Sequence, residues 1–178
     1  GVNAVNAIYD KVHWITTQNK NEFGQFILRI KKIEWDNKNI SEIPHTIGFL
    51  DSLNWLELEN NIIDTIPGNI SQLSNLETFQ IYNNGLKYLP EGLEHLTNLQ
   101  QLLIQDNLLD TLSFDFSKLT SLSEFWVEDN NLTSLPPSLC ELITAGSLPQ
   151  AAFQYYGNKI CNSANACNLP VYEQDCGN

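Results

Sequence analysis

The chain has 178 residues, the size of one ordinary domain. With 9 basic against 21 acidic residues, its formal charge is −12 and its pI about 4.4; this excludes the cationic footprint of a nucleic-acid or anionic-membrane binder. Hydrophobic residues make up 42% and charged ones 17%, the balance of a folding chain, and no apolar run is long enough for direct membrane insertion.

From the N-terminus, Val2, Val5, Ile8, Tyr9 and Val12 fall on one face of a predicted helix. The sequence opens on Gly1 and contains no Met, which leaves room for a start residue or secretory leader ahead of it. Trp14 and Ile15 follow, then the polar stretch Thr16–Glu22. Phe26-Ile27-Leu28 runs into the first expected strand. Residues 1–29 read as an N-terminal cap.

Residues 30–160 carry an internal repeat, the feature with the strongest hold on the fold. The pattern LxxLxLxxNxL starts at Ile30, Leu53, Leu76, Leu99 and Leu122, a step of 23 residues without slippage. A sixth unit holds Phe153, Tyr155, Asn158 and Ile160, displaced by five extra residues around Thr144–Pro149. The second half repeats as well. Ile43-Pro44, Ile66-Pro67, Leu89-Pro90 and Leu135-Pro136 share one position, from which Leu112-Ser113 departs. A short LxL segment puts both leucines on one face of a strand, and a single unit cannot bury that face alone, whereas stacked units can. The asparagine column (Asn61, Asn84, Asn107, Asn130, Asn158) is suited to satisfy backbone groups where the chain turns inward. The first unit has Lys38 at that position, so its turn is expected to be distorted or more exposed.

These motifs resemble the leucine-rich repeat family in its 23-residue form with an LPxxL second half, over about residues 26–161. The resemblance implies an α/β fold: a right-handed solenoid of about six units, with a parallel concave sheet and turns or short helical pieces on the convex side. It also implies a helical N-terminal cap like that of many secreted members.

Residues 161–178 read as a C-terminal cap. The four cysteines, Cys140, Cys161, Cys167 and Cys176, cluster at this end, which predicts disulfides and an oxidising compartment. Four cysteines allow three pairings. Repeat phase favours Cys140–Cys167 with Cys161–Cys176 and leaves the other two open. A zinc site lacks the expected CxxC pairs.

The resemblance places ligands on the concave sheet, at repeat positions 3, 5, 7 and 8. Of those 24 residues eight are acidic and one, Lys32, is basic, an acid density well above the chain average. The candidate binding residues are Glu34, Asp36, Trp55, Glu57, Glu59, Gln80, Tyr82, Leu103, Gln105, Glu124, Trp126, Glu128 and Tyr156. Their acids would steer a partner with a basic patch, and their aromatics would anchor it. Glycan recognition is the alternative, with Trp55, Tyr82 and Trp126 stacking on sugar rings. A Ca²⁺ site on Glu34, Asp36, Glu57 and Glu59 lacks a dense acidic loop, so no metal and no cofactor is expected.

Catalysis is not expected either. His13 is assigned to the N-terminal cap, and His45 and His95 to the convex side, which keeps a histidine triad off the sheet. Three sequons, at Asn39, Asn69 and Asn131, are about what chance gives in so asparagine-rich a chain. The 23-residue repeat also resembles intracellular scaffold members, but those lack a cysteine cap. A secreted or cell-surface recognition module, whole or as a receptor ectodomain, is therefore the expectation.

Overall fold

Each repeat contributes three extended residues whose central side chain is buried, and adjacent repeats pair these residues one to one. The computed structural model describes residues 13–20, 22–162, 164, 166–170 and 174–176. Its seven strands run in chain order: β1 (His13–Lys20), β2 (Phe26–Glu34), β3 (Trp55–Glu57), β4 (Thr78–Gln80), β5 (Gln101–Leu103), β6 (Glu124–Trp126) and β7 (Phe153–Gln154). β2 to β7 are parallel, six strands in all. The register stacks Glu34, Glu57, Gln80, Leu103, Trp126 and Gln154 in one row.

The N-terminal side differs from expectation. β1 pairs antiparallel with β2, from His13 opposite Glu34 to Lys20 opposite Phe26, with an irregularity between Ile15 and Thr16. Most of the polar stretch Thr16–Glu22 thus belongs to a strand of a hairpin. Gly24, at φ 76°, supplies the left-handed residue that its turn needs. The residues assigned to the helix, Val2 to Val12, lie outside the described residues.

The core is a single column of apolar side chains running through all repeats. Leu53, Leu76, Leu99 and Leu122 have no exposed surface, nor do Leu56, Phe79, Leu102 and Phe125 three residues on, at the centres of the strands. Towards the C-terminal end the filling becomes aromatic. Phe114, Phe116, Phe125, Phe153 and Tyr155 form a continuous row with centroid spacings of 4.2–5.5 Å.

Among the described residues, the connections between strands carry short 3₁₀ helices, His45–Phe49, Gly68–Gln72, Leu93–His95, Phe116–Lys118 and Gln150–Ala152, and an α-helix, α1 (Pro137–Thr144). Pro44, Pro67 and Pro136 stand immediately before three of them in extended conformation. The turn after Leu112, which lacks the proline, uses another device. Asp115 Oδ1 accepts a hydrogen bond from the Ser117 amide at 3.0 Å, and Ser138 Oγ accepts one from the Phe116 amide at 3.1 Å.

The asparagine column forms a ladder. Asn107 Oδ1 accepts from the Leu86 amide, and its Nδ2 donates to the carbonyls of Ile81, Ile104 and Gln105. Asn61, Asn84, Asn130 and Asn158 make the same set of bonds in their own repeats. In the first repeat Lys38 is exposed, its amide is taken over by Asn61 Oδ1 at 3.0 Å, and the turn carries two left-handed residues, Asn37 and Asn39.

Two disulfides close the C-terminal end. Cys140, on α1, joins Cys167 with Cα atoms 5.1 Å apart, and Cys161 joins Cys176 at 5.7 Å. They hold Leu148, Ala166 and Leu169 over the last repeat, all buried. Gln174 adds a bond to the Tyr155 carbonyl, and Tyr155 Oη donates to the Pro170 carbonyl.

Candidate ligand-binding face

Strand alternation sends repeat positions 3, 5 and 7 away from the core, because positions 4 and 6 are buried inside it. The register then aligns Lys32, Trp55, Thr78, Gln101 and Glu124 in one row, beside the row from Glu34 to Gln154. The sequence-derived candidates therefore lie side by side on the sheet, with Asp36, Glu59, Tyr82, Gln105, Glu128 and Tyr156 just past the strand ends. Their exposure is uneven. Trp55, Tyr82 and Trp126 are half-buried and Tyr156 is exposed, whereas Leu103, Gln105 and Glu128 are each less than 10% exposed. Leu103 sits between Gln80 and Trp126 in the register and is filling within the face, not an exposed anchor.

Two regions differ in how their charge is handled. At the N-terminal end, Lys32 Nζ lies 2.7 Å from Glu34 Oε1 and 3.8 Å from Glu57 Oε1, and 4.3 Å from the centroid of the Trp55 ring. The Trp55 indole N–H donates to Glu57 Oε1 at 2.7 Å. Two of the four carboxylates weighed as a Ca²⁺ site, Glu34 and Glu57, are thus paired with the chain's own ammonium group. Burial pushes the Glu59 carboxyl above the usual carboxylate range, and the charges of Glu57, Asp36 and Glu34 push the same way. Burial, followed by the charges of Glu59, Glu57 and Asp36, likewise raises the Tyr82 hydroxyl.

Further along, polar side chains form a relay. Gln80 Nε2 donates to Gln101 Oε1 at 3.2 Å, and Gln101 Nε2 donates to Glu124 Oε2. Burial, with Asp129 and Asp106 close by, raises the Glu128 carboxyl, and burial next to Asp129 raises Asp106. Glu59 Oε2, Gln105 Oε1 and Glu128 Oε2, all at position 7, are buried oxygens without a hydrogen-bond donor. A shallow cavity of about 280 Å³ lies at the far end of the sheet, against Gln154, Tyr155 and Tyr156.

Position 8 has a backbone explanation that sequence reasoning missed. Asn37, Asn60, Asn83, Asp106, Asp129 and Gly157 all have φ between 52° and 64°. Asparagine, aspartate and glycine are the residues that tolerate this conformation best, so their presence reports the turn before it reports a ligand. The signal was present in the sequence as a column restricted to those three types. A second omission concerns His13, which β1 carries into the sheet in register with Glu34. His45 and His95 are exposed beside the convex helices, where their Nδ1 atoms contact Asn69 Oδ1 and the Gly92 carbonyl.

A family profile described as a leucine-rich repeat region matches residues 16–148. The chain belongs to the leucine-rich repeat family. Among solved structures it is similar to the ectodomain of the receptor kinase SOBIR1 from Arabidopsis thaliana, at 21% identity and a TM-score of 0.71, with 89% of this chain and 92% of that one covered. It is similar to the structure of PEPR1–AtPEP1 at 23% identity and a TM-score of 0.64, over 79% of this chain and 19% of that one. It is also similar to internalin C2 from Listeria monocytogenes, at 27% identity and a TM-score of 0.58, covering 67% and 49% of the two chains. No curated protein sequence matches it. Among the described residues no helix is long and apolar enough to cross a membrane.

Proposed function

We propose that this chain is a non-catalytic extracellular recognition module that binds a protein or peptide ligand on its concave face. The observation that carries the reading is the row-by-row stacking of acids and aromatics on that face. Lys32, the one cation among these positions, offsets Glu34 beside Glu57, whereas the acids of the fourth and fifth repeats, Asp106, Glu124, Glu128 and Asp129, have no Lys or Arg among the concave positions of their own repeats. A ligand with basic residues around an apolar patch complements these acids, and half-buried Tyr82 and Trp126 offer it rigid contact area. Two disulfides and the likeness to a receptor-kinase ectodomain support the extracellular placement.

The test is selection from a random-peptide display library, followed by affinity measurement at low and high salt. Selected peptides are expected to be basic, to weaken with salt, and to lose about thirtyfold in affinity on Tyr82→Ala or Trp126→Ala, the scale of an interface hot spot. If both variants keep their fold and full binding, the face is misassigned. Salt-insensitive binding to a glycan array, lost in the same variants, would favour sugar recognition.

A further inference from the structure

The chain contains a lysine bound to its own concave face. Lys32 Nζ sits over the Trp55 indole at 4.3 Å and pairs with Glu34 and Glu57, and its side chain keeps only 21% of its surface exposed. An aromatic ring with flanking carboxylates is a well-founded ammonium seat, since the ring face and the carboxylates attract the same charge.

The same parts recur three repeats further on with no cation among them. Trp126 is half-buried, with Glu124 two residues before it and Glu128 two residues after it on the same side of the chain. Asp106 and Asp129 lie at the adjoining turns. The concave positions of these three repeats, residues 101–106, 124–129 and 152–157, contain no Lys or Arg. The nearby lysine of the sixth repeat, Lys159, donates instead to Asn131 Oδ1 at 2.8 Å.

A second observation, of which Gln105 is the part independent of the acid count, points to what is missing. Gln105 Oε1 belongs to a neutral side chain only 8% exposed, and Glu128 Oε2 to one only 7% exposed; neither oxygen receives a hydrogen bond. They stand in adjacent repeats at the same position. Buried acceptors without donors are costly and uncommon. Both lack a donor, and an ammonium group offers three N–H donors and no acceptor.

We propose that Trp126, Glu124, Glu128 and Gln105 form a seat for a lysine side chain of a peptide ligand, equivalent in chemistry to the seat that Lys32 fills on Trp55. This rests on the reading of the concave face as a peptide-binding surface and assigns the ligand's ammonium group to the fourth and fifth repeats. Lys32 keeps the Trp55 seat closed.

The test uses Nα-acetyl-lysine methylamide as probe and the norleucine analogue, which lacks the ammonium, as control. Indole N–H signals are followed by NMR and assigned with Trp126→Phe and Trp55→Phe. The lysine probe is expected to shift the Trp126 indole saturably, the norleucine probe to leave it in place, and isosteric Glu128→Gln to weaken the response roughly tenfold. The Trp55 indole is expected to respond only in Lys32→Ala. Equal response to both probes, or no effect of Glu128→Gln, overturns the seat. Library peptides that occupy the concave face yet tolerate norleucine for every lysine also overturn it, while leaving the wider reading intact. A lysine-specific shift at Trp126 without any concave-face peptide supports the seat and counts against that wider reading.

Discussion

At the scale of single residues, two side-chain types carry most of the architecture: the buried asparagine and the left-handed turn residue before it. The asparagine amide is the only side chain with both an acceptor and two donors on a short stem, and each rung uses all of them. Asn130 accepts from Leu109 and donates to Ile104, Val127 and Glu128. Asn130→Ala is expected to orphan the buried Leu109 amide and lower stability by about 1–3 kcal/mol, measured by urea unfolding. Glycine enters where the turn is also crowded. A Cβ on Gly157 would lie 2.0 Å from Asp129 Oδ1, on a backbone already at φ 64°. The ladder was legible in the sequence because a buried polar column at a fixed step has few other uses. The turn column is less legible, because the left-handed backbone at Asp106 and Asp129 favours aspartate there whether or not a ligand is met.

At the scale of elements, the repeat strands were legible and the N-terminal hairpin was not. β3 to β7 announce themselves through buried alternation, whereas Thr16–Lys20 offers no apolar period. Its order comes from main-chain pairing with β2, which composition does not encode. Gly24 between two extended runs was the available hairpin signal. Short units also need firm ends. β7 is two residues long, so the last repeat depends on the cap that follows it. The Cys161–Cys176 bond closes a separation of 15 residues and Cys140–Cys167 one of 27. On chain entropy these are worth about 3 and 3.5 kcal/mol. Replacing both pairs by serine is expected to lower the melting temperature and to speed proteolysis in the last repeat first, a sequence of events that mass spectrometry of the fragments resolves.

For the whole molecule, the sheet concentrates negative charge that the unfolded chain spreads out. Burial raises Glu59, Glu128 and Asp106, so these groups hold their protons to higher pH when folded than when unfolded. Their contribution is therefore fully present below the ordinary carboxylate values, 3.8 for Asp106 and 4.5 for the two glutamates, and is lost as pH rises through the raised values. Asp51, lowered by its hydrogen bonds to Arg29 and Ser52, has the opposite sign and matters only in stronger acid. The melting temperature is expected to fall as pH rises from about 4 to 7, and less steeply in the double variant Glu59→Gln/Glu128→Gln. An unchanged slope in that variant would trace the effect to general charge repulsion instead.

The offsets within the ladder have a bearing on ancestry. Asn61, Asn84, Asn107 and Asn130 each reach backbone 21 and 26 positions earlier, while Asn158 reaches 26 and 31 positions back. The five extra residues after α1 are absorbed on the outside, and the rung itself never registers them. Gene recombination that copies or drops one whole period thus rejoins every rung to an equivalent one. Such a lineage can lengthen, shorten or reshuffle what it displays to a ligand without having to invent a new interior.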